Sequence, residues 1–468
     1  MIATTLPSPG VLAAVALGAL VAIGALTVLM QRNPQAFPLL AVIALPFRLP
    51  ISADGRTVNL LLPLYAVVAA GVLAHLLPRV VARLRTTDSG ADGGGFAIAY
   101  RSGRPPMALD WLLGAAVVLY ALQAGYSSDI SKAAQNLAFF YVPFGLLYLL
   151  MREAPWTPRL VGRCFIAAVS LAVVFAGVGF VEYGRKALFL NPKVVASDEF
   201  GNYFRVNSLF FDPSIYGRFL ALVTIAVTTA VLWARTRRVQ WIGAAILVWL
   251  LAGLVTSFSQ SSIAALLLGL AVLAAWRWDV RATVYVSLAL VAIVGVVVLS
   301  APASLHFGVN GSGGSASNAT SGRTKLISGG LKLWGERPLQ GYGSGSFEKE
   351  YRRTHTAGAA GAANATSASH TIPITVAAEQ GIVGLVLYVA LLAVAFLALF
   401  SGAGRSPPRI AIAACFAALV LHTWVYADFL EDPITWTLLG MGVAFASMRA
   451  SPVARTATTP VTAGAPAP

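Results

Sequence analysis

Charged side chains are scarce in this chain of 468 residues, in which Asp, Glu, Lys and Arg together make up 11%. A soluble globular protein carries roughly 25% charged residues, so the composition excludes a soluble multidomain enzyme. The two cysteines are too few for a disulfide framework or a zinc site, and we interpret both as small buried side chains. Apolar residues make up 57% of the chain, and the mean hydropathy is +0.76. This composition predicts an all-α polytopic membrane protein whose main partner is the lipid bilayer.

Thirteen apolar runs are candidates for membrane-spanning helices, each of which needs about 20 residues. The run at 37–50 is short and contains Pro38 and Pro46, so it is interpreted as half of a hairpin and the expected total is 12 to 13. The runs lie at 11–30, 37–50, 58–77, 108–126, 133–151, 161–182, 212–233, 240–257, 261–276, 282–300, 378–400, 410–427 and 433–448.

Arginine clusters occur on alternate connections between these runs. The positive-inside rule places all of them in the cytoplasm, so the net charge of +15 does not point to a nucleic-acid partner. The N-terminus lies outside if there are 13 spans and inside if there are 12. The clusters are Arg79, Arg83, Arg85, Arg101 and Arg104; Arg152, Arg159 and Arg163; Arg235, Arg237 and Arg238; Arg277 and Arg281; and Arg405 and Arg409.

One outward connection is much longer than the others, and it divides the chain. Residues 1–300 are N-terminal transmembrane helices, 301–370 a long extracytoplasmic loop, 371–450 C-terminal transmembrane helices and 451–468 a disordered cytoplasmic tail. The loop carries seven basic residues against three acidic ones. This surplus predicts either a solvated subdomain or a site for an anion such as pyrophosphate, since arginine binds phosphate oxygens in a bidentate way.

The long loop has internal order. Residues 324–333 have helical spacing of apolar side chains. A tight turn follows at 338–345, while the glycine- and serine-rich runs 308–321 and 357–369 are interpreted as flexible. His370 then precedes an apolar helix.

Two further features lie at the outer helix ends. Asp212 is a good N-cap and Pro213 a good first residue for a helix that runs inward. Arg218 lies about 9 Å into that helix, where it either snorkels or faces a polar cavity. The polar patch Thr256–Ser262 is interpreted either as hydrogen-bonded contact between helices or as the wall of a site.

Four segments, taken together and in order over residues 200–400, resemble the O-antigen ligase and O-antigen polymerase superfamily of bacterial envelope enzymes. They are Arg205 eight residues before Pro213; the serine-rich patch around Gln260; Arg323, Trp334 and the run Pro338–Phe347; and the frame His-x8-Glu-x-Gly-x2-Gly formed by His370, Glu379, Gly381 and Gly384.

The resemblance implies metal-independent, inverting glycosyl transfer without a cofactor. The donor is a glycan on a polyprenyl pyrophosphate, and the acceptor is a hydroxyl of a glycan or glycolipid. The site faces the exterior of the bacterial cytoplasmic (inner) membrane. Carried over to this chain, His370 is the catalytic residue, and Arg205 and Arg323 bind the pyrophosphate.

The chain departs from the family pattern at two positions. Thr371 follows the histidine where family members usually have Asn, and Gln260 occupies the place of an arginine in Ser-Arg-Gly. Either Gln260 supplies a neutral hydrogen bond to the substrate, or another cation replaces the arginine. Arg218 and Arg323 are the candidates, and we hypothesise that Arg218 compensates.

These residues predict two separate chemical roles. Arginines stabilise the charge that develops on the leaving pyrophosphate, and a histidine removes the acceptor proton at neutral pH. His370 is alternatively a helix-start residue bonded to backbone, or a direct pyrophosphate ligand, and Glu379 is interpreted as structural, paired with an arginine. The rival functions are a lipid-linked sugar flippase or other transporter, and a scaffold. Ligase and polymerase are not distinguished.

Overall fold

The computed structural model describes residues 9–53, 56–86, 107–189, 204–278, 280–281, 323–355 and 371–448. Within these ranges the chain is helical apart from one small hairpin. The helices are α1 (Pro9–Arg32), α2 (Ala36–Ala44), α3 (Leu62–Gly71), α4 (Leu77–Thr86), α5 (Ala108–Ala124), α6 (Ile130–Asn136), α7 (Val142–Glu153), α8 (Pro158–Arg185), α9 (Pro213–Leu232), α10 (Arg237–Thr256), α11 (Gln260–Arg277), α12 (Arg323–Glu336), α13 (Phe347–His355), α14 (Ile372–Phe400), α15 (Pro407–Val425) and α16 (Pro433–Ser447).

Two pairs of these helices are continuous through π-helical turns. Val72–Leu76 joins α3 to α4, and Leu137–Tyr141 joins α6 to α7. Eight helices of the described ranges are long and apolar enough to cross a membrane, and Ala16–Arg32, α5 and α16 are shorter apolar helices. The all-α polytopic membrane fold is thereby confirmed. The predicted span at 282–300 lies outside the described residues.

The predicted span at 37–50 differs from the structure. Helix α2 has nine residues, which cover only about 14 Å at 1.5 Å per residue. It is followed by an antiparallel hairpin of β1 (Leu49–Ala53) and β2 (Arg56–Leu60). Pro46 cannot donate a helical hydrogen bond, so the chain leaves the helix before the apolar run ends.

The local predictions around the long connections are confirmed. Asp212 caps α9 by accepting a hydrogen bond from the Ser214 amide at 2.6 Å, and Pro213 is the first helical residue. The predicted loop helix is α12. The helix predicted after His370 begins at Ile372.

Two hydrophobic cores hold the bundle together. One is built mainly from α2, α3, α7, α14 and α16, and the other from α8, α9, α10 and α11. Helix α15 contributes to both, with Phe416 in the first and Leu419 in the second. Because α15 packs on both cores, it fixes their relative position.

The ends of the helices near the arginine clusters share interfacial features. Arg152 pairs with Asp110 at 3.1 Å. The tryptophans at the ends of α5, α10 and α11 that lie beside these clusters, Trp111, Trp241 and Trp278, are 72%, 76% and 64% exposed. Exposed tryptophans are typical of a membrane–water interface. The site described below lies at the opposite helix ends.

Candidate active site

The turn Pro338–Ser346, here the glycine turn, packs backbone to backbone on α14. The amides of Tyr342 and Gly343 donate to the carbonyls of Ala378 and Glu379 at 3.1 and 2.8 Å, and the Ile382 amide donates to the Pro338 carbonyl at 2.8 Å. Two of the four segments that resemble the family, the glycine turn and the frame around Glu379 and Gly381, therefore contact each other directly.

Gly381 breaks α14 to make this contact. Its φ of 65° lies in the left-handed region, and a Cβ there would collide with the Leu339 carbonyl. Gly341, with a φ of 67°, meets the Glu379 carbonyl in the same way. Glycine alone tolerates both the conformation and the close approach. Carbonyls freed by the break are satisfied by the turn, as a broken helix inside a membrane protein requires.

Glu379 holds the glycine turn from the other side. Its carboxylate accepts hydrogen bonds from the amides of Gly345 and Phe347 at 2.8 and 3.0 Å. The structural role predicted for Glu379 therefore rests on backbone amides and not on the arginine that the sequence analysis expected. An argument from the charges of side chains cannot predict hydrogen bonds to backbone amides.

The connection between α5 and α6 fixes the glycine turn from a third direction. The Ser127 hydroxyl donates to the Ser344 carbonyl at 2.7 Å, and the Tyr126 hydroxyl donates to the Gln340 carbonyl at 2.7 Å. The side-chain amide of Gln123 donates to the Gln380 carbonyl at 3.2 Å. These contacts join segments more than 200 residues apart, so the turn is a rigid part of the fold.

A cavity of about 290 Å³ lies beside the turn. Its walls come from α5, α6, the start of α14 and the connection Tyr426–Asp432, here the bridging loop. Lys132, Glu348, Glu379, Asp428 and Glu431 are the charged residues that line it. Ile372 and Thr375 also line it, so the cavity borders the start of the helix that follows His370.

Asn136 and Glu431 form the polar floor of the cavity. The Asn136 amide donates to the Glu431 carboxylate and to the Tyr120 hydroxyl, both at 2.9 Å. Burial, together with the nearby charge of Asp428, raises the pKa of Glu431 to about 7, although Lys132 opposes this rise. Glu431 therefore changes its charge near neutral pH. Sequence reasoning missed this group, because Asn136 and Glu431 are far apart in the chain.

Arg205 and the serine patch, Thr256–Ser262, are brought together. The Arg205 Nε donates to the Ser257 carbonyl at 3.2 Å, and the next amide, that of Val206, donates to the Thr256 carbonyl at 3.2 Å. Gln260 is the exposed first residue of α11 and follows the N-cap Ser259. The Arg205 segment and the serine patch, both of which resemble the family, therefore also contact each other, at a helix N-terminus that favours anions.

The buried half of the serine patch contacts a histidine of α15. His422 is fully buried, and its Nε2 lies 3.3 and 3.2 Å from the Ser261 and Ser262 hydroxyls. The Ser262 hydroxyl also donates to the Ser214 carbonyl at 3.2 Å. These contacts link α9, α11 and α15, which is the interhelical role predicted for such hydroxyls.

Arg218 is buried beneath the bridging loop. Its Nη2 lies 2.8 Å from Oδ2 of Asp432, with side chains 1% and 2% exposed. The two groups are not aligned as a hydrogen bond, so their attraction comes mainly from charge. The Arg218 Nη1 also donates to the Ala427 carbonyl at 3.5 Å. Arg218 therefore does not snorkel, and its charge is matched by the loop that lines the cavity.

The remaining predicted site residues are only partly covered. His370 lies outside the described residues, and Thr371 after it is described. Arg323 is the first residue of α12, but its side chain lies outside the described part.

The fold and the pattern of charges define a polytopic α-helical membrane protein with a polar site at the helix ends opposite its basic clusters. The family described as O-antigen ligase matches residues 245–389. This part of the chain is therefore similar to the O-antigen ligase and polymerase superfamily, and the match supports a role in membrane glycosyl transfer during O-antigen or polysaccharide assembly. The matched range includes the serine patch, the glycine turn and the break in α14. Comparison with curated proteins gives no match.

Proposed function

We propose that the protein transfers a polyprenyl-pyrophosphate-linked glycan to an acceptor hydroxyl at the outer face of the bacterial cytoplasmic membrane. The reaction is metal-independent and inverts the anomeric carbon. The observation that carries the proposal is the direct contact between the glycine turn and the broken start of α14, two segments inside the range that matches the O-antigen ligase family.

The donor end of the site is formed by Arg205, Arg323 and Gln260. The leaving pyrophosphate gains negative charge as its bond to C1 of the sugar breaks. A donor aimed at such charge lowers the barrier by about 3 kcal/mol. In this proposal Gln260 donates a neutral hydrogen bond beside Arg205, at the N-terminus of α11. Arg218 supports the site through the bridging loop, since its charge is matched by Asp432.

His370 is the proposed general base. It takes the proton from the acceptor hydroxyl as the oxygen attacks C1 opposite the pyrophosphate, a contribution of about 10²–10⁴-fold in rate. The position supports this role, because the residues that follow it, Ile372 and Thr375, line the cavity.

Glycan analysis of cells that carry His370→Ala at normal protein level tests the proposal. Accumulation of single lipid-linked repeat units indicates a polymerase, and accumulation of long lipid-linked chains with a bare surface indicates a ligase. The matched control is His355→Ala, another histidine of the same loop, which we expect to leave both pools unchanged. Unchanged pools in His370→Ala cells would contradict the assignment of the base.

A further inference from the structure

We propose that the cavity bordered by α5, α6, the glycine turn and the bridging loop binds a sugar of the acceptor through that sugar's hydroxyl groups. The sugar carries no acidic group. This inference rests on the proposed function and names the part of the substrate that the cavity receives.

The first argument is the charge of the cavity. Among the described residues that line it, four carry carboxylates, Glu348, Glu379, Asp428 and Glu431, and Lys132 is the only cation. An ionised carboxylate accepts hydrogen bonds and donates none. An occupant that brings O–H or N–H donors is therefore favoured, whereas a pyrophosphate brings only acceptors and negative charge.

The second argument is an acceptor atom without a partner. Asn136 is 2% exposed, and its Nδ2 donates to Tyr120 and Glu431. Asn136 lines the cavity, and its buried Oδ1 has no hydrogen-bond partner. Buried polar atoms are nearly always paired, so an unpaired acceptor on a residue of the cavity wall supports a ligand that brings a donor group.

The third argument is size and shape. A volume of about 290 Å³ lies at the lower end of small-molecule pockets, which start at about 300 Å³. The rings of Tyr120 and Tyr141 stack with centroids 4.0 Å apart and form one wall. Aromatic rings beside a few convergent polar groups are typical of sites that orient a small ligand. The space suits a sugar-sized group rather than a whole repeat unit.

The carboxylates do not form a chelating set. Among the described residues, no three His, Cys, Asp or Glu side chains are grouped as ligands of a metal ion would be. The dispersed arrangement fits several hydroxyl groups on one ring.

The acceptor fits this place better than the donor does. The first sugar of the donor is covalently attached to pyrophosphate, whose negative charge is disfavoured beside the acidic lining of the cavity. The acceptor has no such group, and its hydroxyl must lie beside the proposed base. Ile372, two residues after His370, lines the cavity.

The test is a binding titration with the purified full-length protein in detergent, followed by saturation-transfer NMR. The probe is the lipid-free oligosaccharide released from the surface polymer of the producing cells, and inorganic pyrophosphate is titrated in parallel. Asn136→Leu removes the amide and should weaken oligosaccharide binding about tenfold, with pyrophosphate binding unchanged. The control Thr229→Val removes a buried hydroxyl of α9 that donates to the Ile225 carbonyl outside the cavity, and it should bind both probes as the wild type does.

Ala116→Phe provides a second variant that removes no polar contact. Ala116 lines the cavity from α5, so a phenylalanine there fills the space, and oligosaccharide binding should be lost. Three results would each overturn the proposal: wild-type protein that does not bind the oligosaccharide, normal binding by Ala116→Phe, or an equal loss of binding in Asn136→Leu and Thr229→Val.

The outcome is separable from that of the proposed function. Binding is measured without a donor, so cavity-dependent binding in a protein that transfers no glycan would refute the proposed reaction only. Glycan transfer by a protein whose cavity does not affect oligosaccharide binding would refute the acceptor site only.

Discussion

Removing the charge of Asp432 should destabilise the protein strongly. Asp432→Asn keeps an oxygen that can accept the hydrogen bond from the Ile434 amide, which is 3.0 Å long in the structure and caps α16. Asn is as good an N-cap as Asp, so the cap contributes little to the effect. The effect therefore comes from the Arg218 guanidinium, which is 1% exposed and loses its counter-charge in this variant. Breaking a buried pair in this way costs about 3–5 kcal/mol.

The assay is denaturant unfolding of the purified protein in one fixed detergent. The double variant Arg218→Met/Asp432→Asn removes both charges and should regain most of the lost stability, because neutral or apolar replacements of a buried pair are often tolerated. The control is Arg352→Met. It breaks an exposed i,i+4 pair with Glu348 and should cost less than about 1 kcal/mol.

Two results would refute this reasoning. If the Asp432→Asn variant were as stable as the Arg352→Met variant, the buried pair would not stabilise the bridging loop. If the double variant regained stability but lost all transfer activity, Arg218 would be a pyrophosphate ligand, as hypothesised from the absence of arginine at position 260.

Four further predictions concern the site. Gly381→Ala should lower the free energy of unfolding by about 1–3 kcal/mol or more, because a φ of 65° with a ψ of −162° costs other residues that much and the Cβ meets a carbonyl. Gly114→Ala, where the added Cβ meets nothing within 4 Å, is the control in the same unfolding assay. The affinity for the oligosaccharide should rise as pH increases through about 7, where Glu431 becomes charged and a better hydrogen-bond acceptor. NMR titrations at several pH values should show this dependence in the wild type and not in Glu431→Gln. The pKa of Glu431 is higher in the folded than in the unfolded protein, so its contribution to stability is fully present below pH 4.5 and is lost as pH rises through about 7. If the difference in free energy of unfolding between wild type and Glu431→Gln stayed constant over this range, the assignment would be contradicted. Arg205→Ala should lower transfer about 10²–10³-fold and weaken pyrophosphate binding; unchanged pyrophosphate binding would count against its proposed role.

The positions of the helices were largely predictable, because apolar runs and capping residues are local signals. The start of α9 at Pro213 and the loop helix α12 follow from residues within one or two turns. The two β-strands after α2 were missed, since their apolar residues do not differ in pattern from those of a short span.

The site was predictable only in outline. The spacing of Gly341, Gly343 and Gly345 indicated a tight turn, but nothing local indicated that α14 breaks at Gly381 to receive it. Asn136 and Glu431, which are hydrogen-bonded to each other, lie almost 300 residues apart in the chain. Such contacts arise from helix packing, which a single sequence does not reveal.

The most direct measurement uses the purified protein in proteoliposomes that contain the lipid-linked glycan accumulated by His370→Ala cells, with the acceptor glycan added. The account predicts that new glycosidic bonds and free polyprenyl pyrophosphate appear together in equal amounts, and that both fail to appear with His370→Ala protein. Movement of intact lipid-linked glycan across the bilayer with no bond broken would contradict the account and favour a flippase.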